Sequence, residues 1–307
     1  MRPNLTVNIG KLKLKNPVMV ASGTFGTGYG ELVDINLLGA VVLKTITLKA
    51  RHGNPPPRIA ETSSGMLNSI GLENKGVEDF IKNGIQKLKD IKALLIASIA
   101  GDDENEYGTL AKRLNRVGRI AALEINLSCP NVKHGARESL IAQDEKATYS
   151  IVRAARRATR LPLIAKLSPN VTDISKIAIA AQRAGADAVL LVNTFPAMAV
   201  DVDTKKPKLG NITGGLSGPA IKPIALKMVW DAYNKLDIPI IGCGGIMDTN
   251  DAVEFILCGA SAVQVGTATF VNPNAPAEII KGINKYCAKN GINDMNELVG
   301  SMKVGAL

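Results

Sequence analysis

The sequence predicts an α/β protein of the (β/α)8 TIM-barrel class, with an N-terminal β-hairpin and long top-face loops. Three observations carry this. Eight short runs rich in Val, Ile and Leu recur along 307 residues. Segments with apolar residues three and four positions apart separate them. No Gly-x-Gly-x-x-Gly follows the first run, as an open dinucleotide-binding sheet would need. Continuous apolar runs alternating with helices indicate parallel strands buried on both faces, and eight such units close a barrel.

The runs are PVMVAS (17–22), AVVLKT (40–45), ALLIASI (93–99), ALEINLS (122–128), PLIAKLS (162–168), AVLLVNT (188–194), IPIIGCG (238–244) and AVQVGTA (262–268). The opening LTVNIGKLKLKNP (5–17) reads as a hairpin closing the barrel's bottom. Residues 77–91 and 173–186 have helical spacing, and 249–260 opens on a capping candidate and closes on a glycine. Two connections are long, 46–76 after the second strand and 195–218 after the sixth, and long top-face loops are usually functional. No linker composition divides the chain, so 1–307 reads as one domain.

Composition narrows the function classes. The chain is 46% hydrophobic but only 4% aromatic, so its core is mostly aliphatic. The net charge of +10 reads as a solvated basic surface. Its one dense cluster, RAARRATR (153–160), lacks the interleaved aromatics of a single-strand nucleic-acid binder. Cys129, Cys243, Cys258 and Cys287 form no CxxC pair, which argues against a zinc or iron–sulfur site in this chain. There is no signal-peptide pattern, and no apolar run approaches the roughly 18 residues that span a membrane. The expectation is a soluble, cytoplasmic protein with reduced thiols, binding neither nucleic acid nor membrane.

Active sites of such barrels are built at the C-terminal ends of the strands. Those ends carry Ser22, Lys44 with Thr45, Ser98, Asn126 through Cys129, Lys166, Asn193 with Thr194, Gly244 with Gly245, and Gly266 with Thr267. Glycines after the last two strands let backbone N–H groups approach a phosphate, and GGLSG (214–218) adds a donor loop before a helix N-terminus. Lys44 and Lys166 beside a barrel interior need an anionic partner, either a carboxylate such as Glu124 or a bound anion. Asn68, Asn126, Asn131 and Asn193 offer donors and acceptors matching the N–H and C=O edge of a cyclic imide, although asparagines also serve turns. Cys129 can be read as a base activated by lysines and amides, a nucleophile paired with His134, or an inert loop thiol.

Taken together, ASGTFG (21–26), LKTIT (43–47), NSIGLEN (68–74), NLSCPN (126–131), AKLSPN (165–170), VNT (192–194), GGLSGPAIKP (214–223), GCGGI (242–246) and VGTATF resemble the dihydroorotate dehydrogenase family over nearly the whole chain. The resemblance implies a barrel holding FMN, with its phosphate at the glycines after the last two strands. Dihydroorotate would lie against the flavin, lose a proton from one ring carbon and a hydride from the carboxylate-bearing carbon, and leave as orotate. The matching base is Cys129, where the membrane-bound class has serine. Asn68, Ser69, Ile70, Gly71, Leu72, Asn126, Asn131, Asn193 and Thr194 match substrate-binding positions. Lys44 would lie between flavin and substrate, and Lys166 near the flavin's reactive end. Ser22, Thr45, Ser98, Val192, Gly218, Gly244, Gly245, Gly266 and Thr267 match flavin-contacting positions, as does Asn126.

Ile70 and Glu73 stand where fumarate-using homodimers tend to carry Met and Pro. That resembles the NAD-linked subclass, which pairs a homodimeric FMN core with a subunit carrying FAD and an iron–sulfur cluster. Two residues depart from the pattern: Ser98 replaces a frequent asparagine, and Cys243, a packing variation, stands where methionine or another residue is expected. A dihydropyrimidine dehydrogenase-like enzyme and a non-catalytic flavin-binding scaffold are the rival readings. Residues 129–140 and 195–218 are candidate lids that exclude water.

Overall fold

The computed structural model describes residues 3–24, 33–127 and 143–305. β1 (Val7–Ile9) and β2 (Leu12–Leu14) pair antiparallel, with Val7, Ile9, Leu12 and Leu14 turned inward and Asn8 and Lys13 outward. Their turn is at Gly10 (φ +58°), where an added Cβ would fall 2.9 Å from Asp187 Cβ. Asp187 directly precedes a barrel strand, so the hairpin covers the N-terminal end of the barrel as expected.

β3 (Val18–Val20) and β4 (Ala40–Ile46) are the first two barrel strands, and β5 (Ile59–Thr62) and β6 (Gly65–Asn68) lie in the connection that follows. β7 (Leu94–Ile99), β8 (Ile120–Asn126), β9 (Leu163–Lys166) and β10 (Ala188–Leu191) continue the barrel. After β10 come β11 (Phe195–Met198), β12 (Val200–Asp201), β13 (Lys206–Pro207) and β14 (Thr213–Ser217). β15 (Ile240–Cys243) and β16 (Ala260–Val265) complete the ring, and β16 pairs back onto β3. The closed order is β3-β4-β7-β8-β9-β10-β15-β16, every neighbour parallel. All eight predicted strands are present.

Helices α1 (Gly76–Asp79), α2 (Glu104–Leu114), α3 (Glu145–Ala158), α4 (Ile174–Ala184), α5 (Lys222–Tyr233), α6 (Thr249–Leu257), α7 (Ala268–Val271) and α8 (Ala275–Lys289) fill the connections. α4 shows why its segment is helical. Asp173 caps its start by accepting from Ser175 N–H, and Gly185 (φ +102°) ends it in the left-handed conformation. α6 begins one residue later than its cap, Asp248, which forms a reciprocal capping box with Asp251.

The segment 77–91 departs from the smooth helix its spacing predicts. A single α-turn, α1, passes into a π-helical stretch (Phe80–Gly84) and then a 3-10 turn (Ile85–Leu88). Gly84 costs helix stability relative to alanine, and the Phe80 ring lies where its Cβ would be, 2.9 Å away.

The two long connections make a structure that local patterning does not announce. β11, β14, β6 and β5 form one antiparallel sheet, with Gly215 opposite Asn68 and Phe195 opposite Leu216. This sheet roofs the C-terminal end of the barrel, since its strands leave from the ends of β4 and β10. Beneath it the barrel is mostly aliphatic, as the low aromatic content implies, and the strands are almost wholly buried. Among the described residues, no helix is long and apolar enough to cross a membrane.

Candidate active site

A cavity of about 320 Å³ opens at the C-terminal ends of the barrel strands, under the roof sheet. That is the size of a small-ligand site. Most of the residues read from the strand ends meet there: Ser22, Lys44, Thr45, Asn126, Lys166, Val192, Asn193, Thr194, Gly244, Gly245, Gly266 and Thr267 all line it. The roof and its loops add Asn68, Ile70, Gly71, Leu72 and Gly218. Cys129 and Asn131 lie outside the described residues.

Ser69 and Ser98 stand one layer behind the wall, both fully buried. Ser98 shares a hydrogen bond with Thr45 (Oγ–Oγ1 3.0 Å), Thr45 one with Ser22 (3.3 Å), and Ser22 Oγ donates to Leu43 O at 2.9 Å. This hydroxyl chain links the ends of β3, β4 and β7 and fixes Thr45 at the cavity edge. Ser69 accepts from Asn54 Nδ2 at 2.8 Å. The same Asn54 lies where a Cβ on Gly71 (φ +72°) would be, 2.7 Å away, so only glycine lets the 68–74 loop pack down. Arg58 holds that loop from outside through an ion pair with Glu73 at 2.7 Å.

The asparagines are tied to one another and to the roof. Asn193 Nδ2 donates to Asn126 Oδ1 at 3.1 Å, and Asn68 Nδ2 reaches Gly215 O at 3.4 Å. Thr194 N–H donates to Asn193 Oδ1 at 2.8 Å. Gly215 is required beside Thr194, because an added Cβ would collide with its Oγ1. Tyr107 Oη, buried on α2, donates to Asn126 O at 2.6 Å and anchors the end of β8.

The two lysines separate. Lys44 is exposed on β4 and has no ion pair among the described residues. Lys166 is buried, and its Nζ lies 3.8 Å from Glu124 Oε1. The carboxylate partner weighed for both therefore exists for Lys166, which nevertheless lines the cavity.

Gly218 (φ +98°), Gly244 (φ +125°) and Gly245 (φ +78°) adopt conformations that favour glycine. A Cβ on Gly245 would fall 2.9 Å from Gly218 O and 2.9 Å from Lys222 N at the start of α5. These backbones crowd together at the cavity edge with no room for a side chain at Gly245, beside a helix N-terminus suited to an anion. Thr267 Oγ1 donates to Ser217 Oγ at 2.8 Å on the same rim. Lys222 itself turns away to Asp251 (2.6 Å) and Glu254 (3.1 Å), and the hydrogen bond to Asp251 holds its ammonium above the usual lysine range.

An apolar wall was not anticipated from sequence. Ile59, Met66, Ile221, Ile246, Met247 and Phe270 line the cavity, most of them on the roof or in turns where hydrophobic periodicity carries no signal. Cys243, which the sequence suggests as packing, also reaches the wall; burial pushes its thiol up to about 11, with Lys166 opposing and Glu124 adding.

The dihydroorotate dehydrogenase family profile matches residues 4–287. The catalytic subunit of dihydroorotate dehydrogenase B (NAD(+)) from Desulforamulus reducens is 53% identical over 303 residues, covering 98% of this chain and 99% of that protein. The protein of that name from Trichlorobacter lovleyi is 50% identical, covering 99% of this chain and 100% of the relative. A crystal structure of DHODH in complex with ferulenol from Eimeria tenella is similar with a TM-score of 0.79 at 25% identity, over 97% of this chain and 88% of that one.

Proposed function

The chain belongs to the dihydroorotate dehydrogenase family, and from that premise we propose that it is the catalytic subunit of an NAD-linked enzyme oxidising dihydroorotate to orotate in pyrimidine biosynthesis. The observation that carries this reading is the meeting of Lys44, Asn68, Asn126, Lys166 and Asn193 in one cavity beside a glycine-walled anion cradle.

The residues present fit FMN. Backbone at Gly218, Gly244, Gly245 and Gly266, with the Thr267 hydroxyl, would hold its phosphate; packing at Gly245 that excludes a Cβ supports this. Ser22, Thr45, Val192, Asn126, Lys44 and Lys166 would border the flavin ring, with Ser98 acting through Thr45. Bound FMN supplies the acceptor for a hydride from the carboxylate-bearing carbon of the substrate.

The chain's own groups do the rest. Asn68, Asn126, Asn131, Asn193 and Thr194 hold the alternating N–H and C=O edge of the pyrimidine, with Ile70, Gly71 and Leu72 closing over it and Ser69 bracing that loop from behind through Asn54. Lys44, exposed to the cavity without a carboxylate partner among the described residues, faces the substrate's carboxylate. Cys129 takes the proton from the neighbouring ring carbon. Lys166 stabilises negative charge building in the cavity.

On this reading residues 1–307 act as one FMN-binding domain in a homodimeric core of the cytoplasm. A partner subunit carrying FAD and an iron–sulfur cluster passes the electrons to NAD. The naming of the relatives as NAD(+) catalytic subunits supports the acceptor, as do Ile70 and Glu73. The test is anaerobic: purify the chain, verify bound FMN by its visible absorption, and add dihydroorotate. Bleaching with orotate formation is expected. A flavin that stays oxidised with dihydroorotate but bleaches with dihydrouracil would move the function to a dihydropyrimidine dehydrogenase.

A further inference from the structure

Below the cavity floor, the barrel interior holds a carboxylate that the proposed chemistry does not use. Glu124, on β8, is wholly buried. Its Oε2 accepts from Gln264 Nε2 at 2.8 Å, and Gln264, also wholly buried, comes from β16 on the opposite side of the ring. Its Oε1 lies 3.8 Å from Lys166 Nζ and accepts no hydrogen bond. Packing does not explain this arrangement, because a neutral amide alone would not offset the cost of burying a carboxylate. Lys166 is the one cation paired with it among the described residues.

We propose that Glu124 is the positioning residue for Lys166: braced across the barrel by Gln264, its carboxylate holds the Lys166 ammonium at the cavity floor, facing the ligand. The register supports it. Glu124 pairs with Ile164 and Asn126 with Lys166 on the adjacent strand, so Glu124 lies one inward-facing position below Lys166. The other titratable group in this field is Cys243 on β15, whose thiol feels both charges, while β16 supplies only neutral Gln264. Lys44 on β4 shares the cavity.

The inference rests on the reading of Lys166 as the cation serving the flavin site, so its test has one readout that needs no turnover. Wild type, Glu124→Gln, Glu124→Asp and Gln264→Leu are prepared as full chains. In FMN-stripped protein, pulse acetylation of Lys166 is followed across pH by mass spectrometry. Removing the carboxylate favours the neutral amine, so the labelling midpoint in Glu124→Gln is expected to fall by about one pH unit or more. In FMN-loaded protein, reduction by dihydroorotate is expected to slow about tenfold or more at neutral pH. Glu124→Asp should recover part of both effects, and Gln264→Leu should shift both in the same direction by less.

A folded Glu124→Gln protein with wild-type midpoint and reduction rate overturns the proposal. If that variant does not fold, Gln264→Leu decides, and an unchanged midpoint there overturns it equally. Failure of wild type to be reduced by dihydroorotate defeats the functional reading, while the labelling midpoint still decides the role of Glu124.

Discussion

Asn193 donates from Nδ2 to Oδ1 of Asn126 at 3.1 Å, joining the end of β8 to the turn beyond β10 across the intervening β9. The pair sets the spacing of two amides on the cavity wall before any ligand arrives, and such preorganisation saves ordering cost on binding. Asn193→Ala removes one amide and strips the other of its partner. A lost partner of this kind costs about 1–3 kcal/mol, or about 5- to 150-fold in kcat/KM for dihydroorotate. The double variant with Asn126→Ala should lose less than the sum of the singles, which steady-state kinetics will show.

Cys129→Ser should abolish most turnover near neutral pH, because a hydroxyl gives up its proton far less readily than a thiol, while FMN stays bound. Absorbance after gel filtration checks retention, and stopped-flow bleaching checks chemistry. Turnover near the wild-type rate would remove Cys129 from the role of base.

Gly245→Ala places a methyl group against Lys222 and Gly218 at a φ of +78°. The strained conformation alone costs about 1–3 kcal/mol. The variant is expected to purify with little FMN and a lowered Tm, both measurable in one melting experiment with and without added FMN.

Cys243 provides a pH test. Its thiol is raised from 9.0 to about 11 by burial, so the folded state binds this proton more tightly than the unfolded chain. The associated stability is complete below pH 9 and is lost as pH rises through the folded value. Across that window the stability of wild type should fall more steeply than that of Cys243→Ala, by about 1.4 kcal/mol per pH unit. Urea titrations at three alkaline pH values measure the difference. Iodoacetamide at pH 8 should leave Cys243 unmodified until the protein is denatured, as peptide mapping will show.

The eight barrel strands, the basal hairpin and most of the cavity's polar groups are legible in the order of the amino acids alone. Each is a local signal. A strand buried on both faces must be apolar along its length, and a polar residue ending it stands at the barrel mouth whatever the rest of the chain does. Features that depend on distant partners take shape only in the folded chain. The 46–76 and 195–218 connections carry no strong period, yet they pair as β5, β6, β11 and β14 because register between segments nearly 150 residues apart emerges only once the barrel brings them together, as Asn68 and Gly215 show. The smooth helix expected at 77–91 yielded to Gly84 and its contact with Phe80. Lys44 and Lys166 look alike in sequence, each near the end of an apolar strand. Only the closed ring places Glu124 beside one of them and secures it with Gln264, 140 residues away on the far wall.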